Sequence, residues 1–164
     1  MEFLVWLEQT AFSAWVRESS SLWAYPNFLT LHTLGLAFLV GISAAVDLRV
    51  LGFAPRLPLA PMEGLFPVMW IAFWVNAVSG FVLSVADATT KLTSPLFYFK
   101  LILIVLAVVN IRLLKTSVFR NWTPDQTAVP MKGKILALTS LALWIGAITT
   151  GRLMAYFGPV SGLQ

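Results

Sequence analysis

The single histidine of the chain, His32, lies inside a long apolar run between Tyr25 and Val40. An ionisable side chain is costly in hydrocarbon, so such a residue nearly always faces protein, a cofactor or water, and it is a functional candidate by default. A neutral imidazole can offer a lone pair to a metal or donate a hydrogen bond. This residue therefore suggests ligation or hydrogen bonding at a site within the membrane.

Two basic residues fall at a depth similar to that of His32 when each apolar run is counted at about 1.5 Å per residue. Lys100 lies five residues after Pro95, Arg152 lies five residues before Phe157, and His32 lies six residues after Pro26. Positive groups from three helices repel one another in a dry bundle unless something neutralises them. We therefore expect a bound ligand that carries carboxylates.

A b-type haem meets this expectation. His32 would ligate the haem iron, and Lys100 and Arg152 would hold the two propionates. The apolar macrocycle would then lie between the helices, as in other cofactor-binding helix bundles.

The sequence leaves the second axial ligand of such a haem open. It would come from Met154 or Met69, from Lys100, or from another subunit, unless the position stays vacant. Gly35, one turn after His32, either makes room for the cofactor or lets two helices approach closely. The predicted cofactor site comprises the following residues: His32, Lys100, Arg152, Gly35 and Met154.

Other interpretations use the same residues. His32 can be a packed residue that donates a hydrogen bond to a carbonyl, while Lys100 and Arg152 extend to the surface and Asp87 pairs with either of them. A quinone or a lipid headgroup can occupy the same pocket, with His32 and Lys100 as hydrogen-bond donors. The protein can also be a non-enzymatic accessory or scaffold subunit of a homo-oligomer or a larger complex.

The elements that position these residues are four apolar runs. Hydrophobic residues make up 59% of the chain and charged residues 11%, a composition that a soluble domain cannot bury. The runs cover residues 22–51, 66–86, 96–114 and 135–157, and each is close to the roughly 20 residues that cross a bilayer as a helix. We predict an all-α integral membrane four-helix bundle that forms one domain over residues 1–164.

The first 20 residues mix apolar and polar side chains at helical spacing, which is typical of an amphipathic helix lying in the membrane interface. Lys and Arg concentrate in the connection after the first run and in the connection between the third and fourth runs. These connections should be cytoplasmic, so both termini should face the outside. This asymmetry accounts for the net charge of +4 without a nucleic-acid partner.

A second polar set occupies the cytoplasmic half of the runs, where Asp47 and Arg112 are predicted to form an ion pair. Asn110 lies beside them, and a proton path from Asp47 through Asn110 and Asn76 to His32 is a further hypothesis. The chain has no cysteine, no phosphate-binding loop and no nucleophile beside a base, so an enzyme is the less favoured prediction.

Several short motifs carry a resemblance to a known family. They are Leu31-His32-Thr33-Leu34-Gly35-Leu36-Ala37, Asp47-Leu48-Arg49-Val50-Leu51-Gly52, Ser79-Gly80-Phe81, Phe99-Lys100-Leu101 and Gly151-Arg152-Leu153-Met154-Ala155-Tyr156. Over nearly its whole length the chain resembles a group of small four-helix bacterial inner-membrane proteins of unknown function. In layout it is more distantly similar to the haem-binding copper-resistance D and cytochrome b561 families, although it has a single histidine. The resemblance implies the same fold and a bacterial inner membrane location.

Overall fold

A computed structural model describes residues 2–120 and 129–156, and these residues contain helices and no strand. In chain order the helices are α1 (Glu2–Glu8), α2 (Ala11–Glu18), α3 (Tyr25–Leu51), α4 (Leu65–Ala86), α5 (Ala88–Lys91), α6 (Pro95–Leu114) and α7 (Met131–Tyr156). A 3₁₀ turn (Ala60–Gly64) precedes α4, and a π-helical turn (Lys115–Phe119) continues α6. The all-α prediction is confirmed.

Four of the helical segments are long and apolar enough to cross a membrane, and they correspond to the four predicted runs. Many of their large hydrophobic side chains, such as Phe81 and Ile145, are exposed on the surface of the chain. This surface suits lipid as the surrounding solvent, so the protein is a multi-pass membrane protein. The predicted end of the fourth run at residue 157 lies outside the described residues.

Local chemistry explains where the spanning helices begin and end. Pro26 and Pro95 stand in the first turns of α3 and α6, where a missing N–H does no harm. After α3 the chain turns at Gly52, whose φ of 105° is in the left-handed region that favours glycine. Trp23 and its neighbours lie before the helix rather than in it, which places the start of α3 three residues later than predicted.

The amino-terminal segment forms two short helices rather than the single interfacial helix predicted. Thr10 ends the first and caps the second, because its hydroxyl oxygen accepts a hydrogen bond from the backbone N–H of Ser13. Both helices pack near the junction of α4 and α5. Aromatic side chains of this segment remain exposed, including Phe3, Trp6 and Phe12, as expected for a membrane-interface position.

In the bundle, α3 packs on α4 and on α7, and α7 packs on α6. We call the end at which α3 and α6 begin the upper end, and the opposite end the lower end. The aromatic and cation–π contacts that link α4 with α6 lie toward the lower end, where Arg112 covers the Trp70 ring and Phe66 meets Phe119. The buried residues of α6 all lie in its second half, from Ala107 onward, so the bundle is less tightly packed toward its upper end.

Candidate functional site

At the upper end, His32 of α3 and Asn76 of α4 form a reciprocal pair. The His32 Nδ1 atom lies 2.9 Å from the backbone carbonyl oxygen of Asn76, and the Asn76 side-chain amide donates to the backbone carbonyl of His32 at 2.7 Å. The Ser79 hydroxyl lies 3.4 Å from the same Nδ1 atom, but its shorter bond, at 2.6 Å, goes to the carbonyl of Val75. The His32–Asn76 pair fixes the imidazole ring against α4.

This pairing assigns different roles to the two ring nitrogens of His32. A carbonyl oxygen only accepts hydrogen bonds, so Nδ1 carries the hydrogen, and in the neutral ring Nε2 carries the lone pair. Within the described residues Nε2 has no hydrogen-bond partner, and it is not among the buried polar atoms that lack one. Nε2 is therefore an accessible acceptor. The bond to Asn76 matches the interpretation of His32 as a packed residue that donates to a carbonyl, and with that donor engaged a ligand would have to donate to Nε2.

Gly80 of α4 provides the surface on which the ring lies. A Cβ atom at this position would be 2.7 Å from the Cε1 atom of His32 and 3.1 Å from its Nδ1 atom. Such approaches are too short for any side chain, so the ring requires glycine at this position.

Lys100 approaches the same end of the bundle from α6. Its half-buried side chain runs beside Gly151 of α7, where a Cβ atom would lie 3.5 Å from the Lys100 Nζ atom. No hydrogen bond or ion pair within the described ranges involves this ammonium group. The site thus combines an open acceptor with an unneutralised cation.

The other charged groups at the upper end do not converge on this site. Asp87 lies 3.8 Å from Lys91. One sequence interpretation paired Asp87 with Lys100 or Arg152, and it forms neither of these ion pairs. Arg152 is exposed on α7, and it makes no ion pair with a described residue. Of the two predicted propionate-binding residues, only Lys100 is directed inward.

The remaining predicted site residues have different environments. Gly35 is buried in the contact between α3 and α4, where a Cβ atom would lie 2.9 Å from the backbone nitrogen of Asn76 and 3.0 Å from the carbonyl oxygen of Ala72. Its role is close helix packing, the second of the two alternatives left open by the sequence. Met154 lies half-buried near the end of α7.

The best-defined cavities between the described helices are small and lie below this site. Two of them have volumes of about 10 Å³ each, one between Ser43 and Leu114 and the other between Leu39 and Val108. Enclosed pockets for drug-sized ligands occupy about 300–1,000 Å³. A larger ligand of this site would have to lie at its open, lipid-facing side.

The lower half of the bundle contains a separate buried polar cluster. Asp47 is fully buried, and its carboxylate accepts a hydrogen bond from Ser43 rather than an ion pair from Arg112. The predicted pair is wrong because Arg112 is exposed and lies over the Trp70 ring, 5.1 Å from its centroid. Asn76 is hydrogen-bonded to His32, whereas Asp47 is hydrogen-bonded to Ser43, which contacts Ser140. Apolar residues lie between the two groups, so the described residues form no continuous proton path.

Sequence reasoning connected Asn76 with His32 only as a step of the proton path, and it did not connect Ser79 and Gly80 with His32. A signal was present, because Ser79 and Gly80 follow Asn76 by three and four residues. At this spacing the two small residues lie on the same face of α4 as Asn76. A polar side chain among small residues in a spanning helix indicates a polar contact with a neighbouring helix.

Comparison with known proteins gives no further guidance. No family model, no curated protein and no solved structure matches the chain. In the part of the chain that the structure describes, no group of three or more His, Cys, Asp or Glu residues could hold a metal ion. The functional argument therefore rests on the geometry of the site.

Proposed function

We propose that this membrane protein binds a lipid-soluble amphiphile with hydrogen-bonding oxygens, of the quinol type, at the upper end of its bundle. The observation that carries the proposal is the accessible Nε2 lone pair of His32, held in place by the Nδ1 bond to Asn76, with Lys100 at the same end of the bundle.

The chemistry of the two groups matches such a ligand. A quinol hydroxyl would donate to Nε2 of His32, and the ammonium group of Lys100 would donate to a second ligand oxygen. An unpaired cation within the membrane is costly in free energy. A ligand oxygen that accepts a hydrogen bond from the Lys100 ammonium group would offset that cost. The ring and tail of the ligand would remain in lipid, which fits a site without a large enclosed cavity.

Haem b is the second candidate, and one observation favours it. Metal-ligating histidines almost always donate their other ring N–H to a carbonyl or a carboxylate, as His32 does to Asn76. His32 would be an axial ligand of the iron, and Lys100 would bind one propionate. From α7, Arg152 would bind the other propionate, or Met154 would be the second axial ligand. When bound, the haem would supply one-electron chemistry. Because the two best-defined cavities have volumes of only about 10 Å³ each, we place such a haem at the lipid-facing side or between two copies of the chain.

The proposal includes the location of the protein. We place it in the bacterial inner membrane with the upper end outside, because Lys and Arg residues concentrate in the connections at the lower end. Membrane lipids are its immediate partners, and it would work as a homo-oligomer or as an electron-transfer subunit of a larger complex. If no small ligand binds, a non-enzymatic accessory or scaffold subunit is the remaining interpretation.

Titration of the detergent-purified protein with a short-chain quinol, followed by tryptophan fluorescence, tests the proposal. We expect saturable binding that Lys100→Met weakens about tenfold, which corresponds to about 1.4 kcal/mol for one charge-assisted hydrogen bond. Lys132→Met, at the lower end, is the matched control and should leave the affinity unchanged.

Absorption spectra of the same preparation separate the two candidates. A Soret band that shifts on reduction with dithionite would favour haem, and its absence together with quinol binding would favour the first candidate. Failure of wild-type protein to show either property would contradict both.

A further inference from the structure

The buried polar cluster in the lower half of the bundle has more acceptor atoms than donors. It comprises Ser43 and Asp47 of α3 and Ser140 and Trp144 of α7, and Asn110 of α6 bonds to α7 one turn before Ser140. The Trp144 indole N–H donates to the Ser43 hydroxyl oxygen at 3.0 Å, the Ser43 and Ser140 hydroxyl oxygens are 3.2 Å apart, and Ser43 lies 3.4 Å from Oδ2 of Asp47.

Two oxygen atoms in this part of the bundle are left without a donor. Oδ1 of Asp47 and Oδ1 of Asn110 are both buried and have no hydrogen-bond partner. The Asn110 amide donates to the carbonyl of Leu136 at 3.0 Å, one turn before Ser140, so both oxygens lie at a similar level of the bundle. A buried acceptor without a partner costs about 1–3 kcal/mol, and more when it is charged. The cluster therefore lacks a hydrogen or a cation.

No basic side chain of the described residues supplies the missing charge. On α3, the guanidinium group of Arg49 donates to the carbonyls of Leu57 and Pro55. On α6, Arg112 lies over Trp70, and the next residue along, Lys115, lies 3.8 Å from Glu63. No described cation comes within 4.0 Å of an Asp47 oxygen.

The basic residues near the start of α7 are Lys132, which is exposed, and Lys134, which is half-buried. Neither forms an ion pair with Asp47. On α4, the residues that pack against this level of α3 are Phe66 and Met69, which carry no charge. An ionised Asp47 would therefore be an isolated buried charge, the most expensive arrangement for a carboxylate.

The missing species must be small and must carry one positive charge. Neither Asp47 nor Asn110 lines either of the two best-defined cavities, and the cavity that Ser43 lines has a volume of about 10 Å³, which is too small for a hydrated metal ion. A proton needs no space. It also neutralises the carboxylate and turns one acceptor into a donor.

We propose that Asp47 is a proton-binding site, which takes up one proton at neutral pH and holds it among Ser43, Ser140 and Asn110. The site is independent of the ligand site at the upper end, since apolar residues such as Leu39 and Phe73 separate the two. Because the carboxyl group is fully buried, the proton enters and leaves only when α3, α6 and α7 separate at the lower end.

Infrared spectroscopy of the detergent-purified protein at neutral pH tests this proposal. A protonated carboxyl group gives a carbonyl stretching band well apart from the bands of carboxylates. We expect one such band per chain in the wild type, lost in Asp47→Asn and retained in Asp87→Asn, the control with an exposed carboxylate paired with Lys91. Asn replaces a neutral carboxyl group with nearly the same shape, so we expect Asp47→Asn to fold.

If Asp47→Asn does not fold, the wild-type spectrum alone tests the proposal. Among the other described acidic residues, Glu8, Glu18, Glu63 and Asp87 each lie within 4.0 Å of a basic side chain, and Glu2 is exposed. Absence of a protonated carboxyl band at neutral pH would overturn the proposal. Loss of the band on addition of NaCl but not of KCl would also overturn it, because the cluster would then hold a metal ion.

Discussion

At the scale of single residues, the two nitrogens of one imidazole divide the structural and the functional roles of His32. Nδ1 fixes the ring on α4 through Asn76, while Nε2 is open. The sequence predicted which residue types could act, because ionisable groups in an apolar run stand out. It could not predict their partners, since the rotation and crossing of α3 and α4 decide that His32 meets Asn76 and that Arg152 does not converge on the site.

Gly80 provides a prediction at this scale. Gly80→Ala places a Cβ atom 2.7 Å from the His32 ring, so the ring must move and lose its bond to Asn76. We expect a loss of about 1–3 kcal/mol in the free energy of unfolding, measured by thermal unfolding in detergent.

The matched control for this substitution is Gly41→Ala. No atom lies within 4 Å of a Cβ at Gly41 of α3, so alanine there should leave stability unchanged or raise it by up to about 1 kcal/mol. Equal effects of the two substitutions would show that the ring does not require glycine.

At the scale of the helices, the hydrophobic runs predicted four spans with ends within a few residues of the structure. The break in the amino-terminal segment was missed, because Thr10 forms its cap with Ser13 only once the chain turns there. The attachment of that segment was also not predictable. It depends on a contact between distant residues, in which Glu8 accepts a hydrogen bond from Thr89 at 2.7 Å and lies 3.3 Å from Arg17.

We predict that Glu8→Gln loosens this attachment. The pair with Arg17 is partly exposed, and such pairs are typically worth about 0.2–1 kcal/mol, so the detached form should increase by a factor of about 1.4 to 5. Tryptic cleavage after Arg17 measures this increase, because in the attached form Arg17 also donates to the carbonyl of Ala86.

Glu18→Gln is the control for that experiment, since Glu18 also pairs with Arg17 but is 66% exposed in its side chain and does not reach α5. Equal cleavage rates in the wild type and Glu8→Gln would contradict the assigned contact.

At the scale of the whole molecule, the distribution of basic residues predicts which end of the bundle faces the outside. The absence of cysteine allows a clean test with single-cysteine variants. Thr93→Cys, exposed at the upper end, should react with a membrane-impermeant maleimide in intact cells, and Leu57→Cys, exposed at the lower end, should react only after permeabilisation. The reverse pattern would invert the orientation.

The arrangement of helices around the bundle was not predictable from one sequence. Apolar periodicity shows which segments span the membrane, but in lipid all faces of a helix are apolar, so hydrophobicity does not select its neighbours. Small residues do select them, and Gly35 at the contact of α3 with α4 is the example in this chain. The order of the helices then determines that Lys100 lies beside Gly151.

The central claim is that Nε2 of His32 binds a ligand while Nδ1 holds the helices together, and a pair of substitutions separates the two nitrogens. His32→Asn places an amide N–H near the position of Nδ1 and removes Nε2, whereas His32→Gln places its amide near the position of Nε2 and removes the Nδ1 bond. The decisive measurement is the affinity of the short-chain quinol for each purified variant, with thermal unfolding recorded alongside. We expect His32→Asn to keep its stability and lose quinol binding, and His32→Gln to lose about 1–3 kcal/mol of stability and retain part of the binding. Wild-type affinity in a stable His32→Asn variant would contradict the claim.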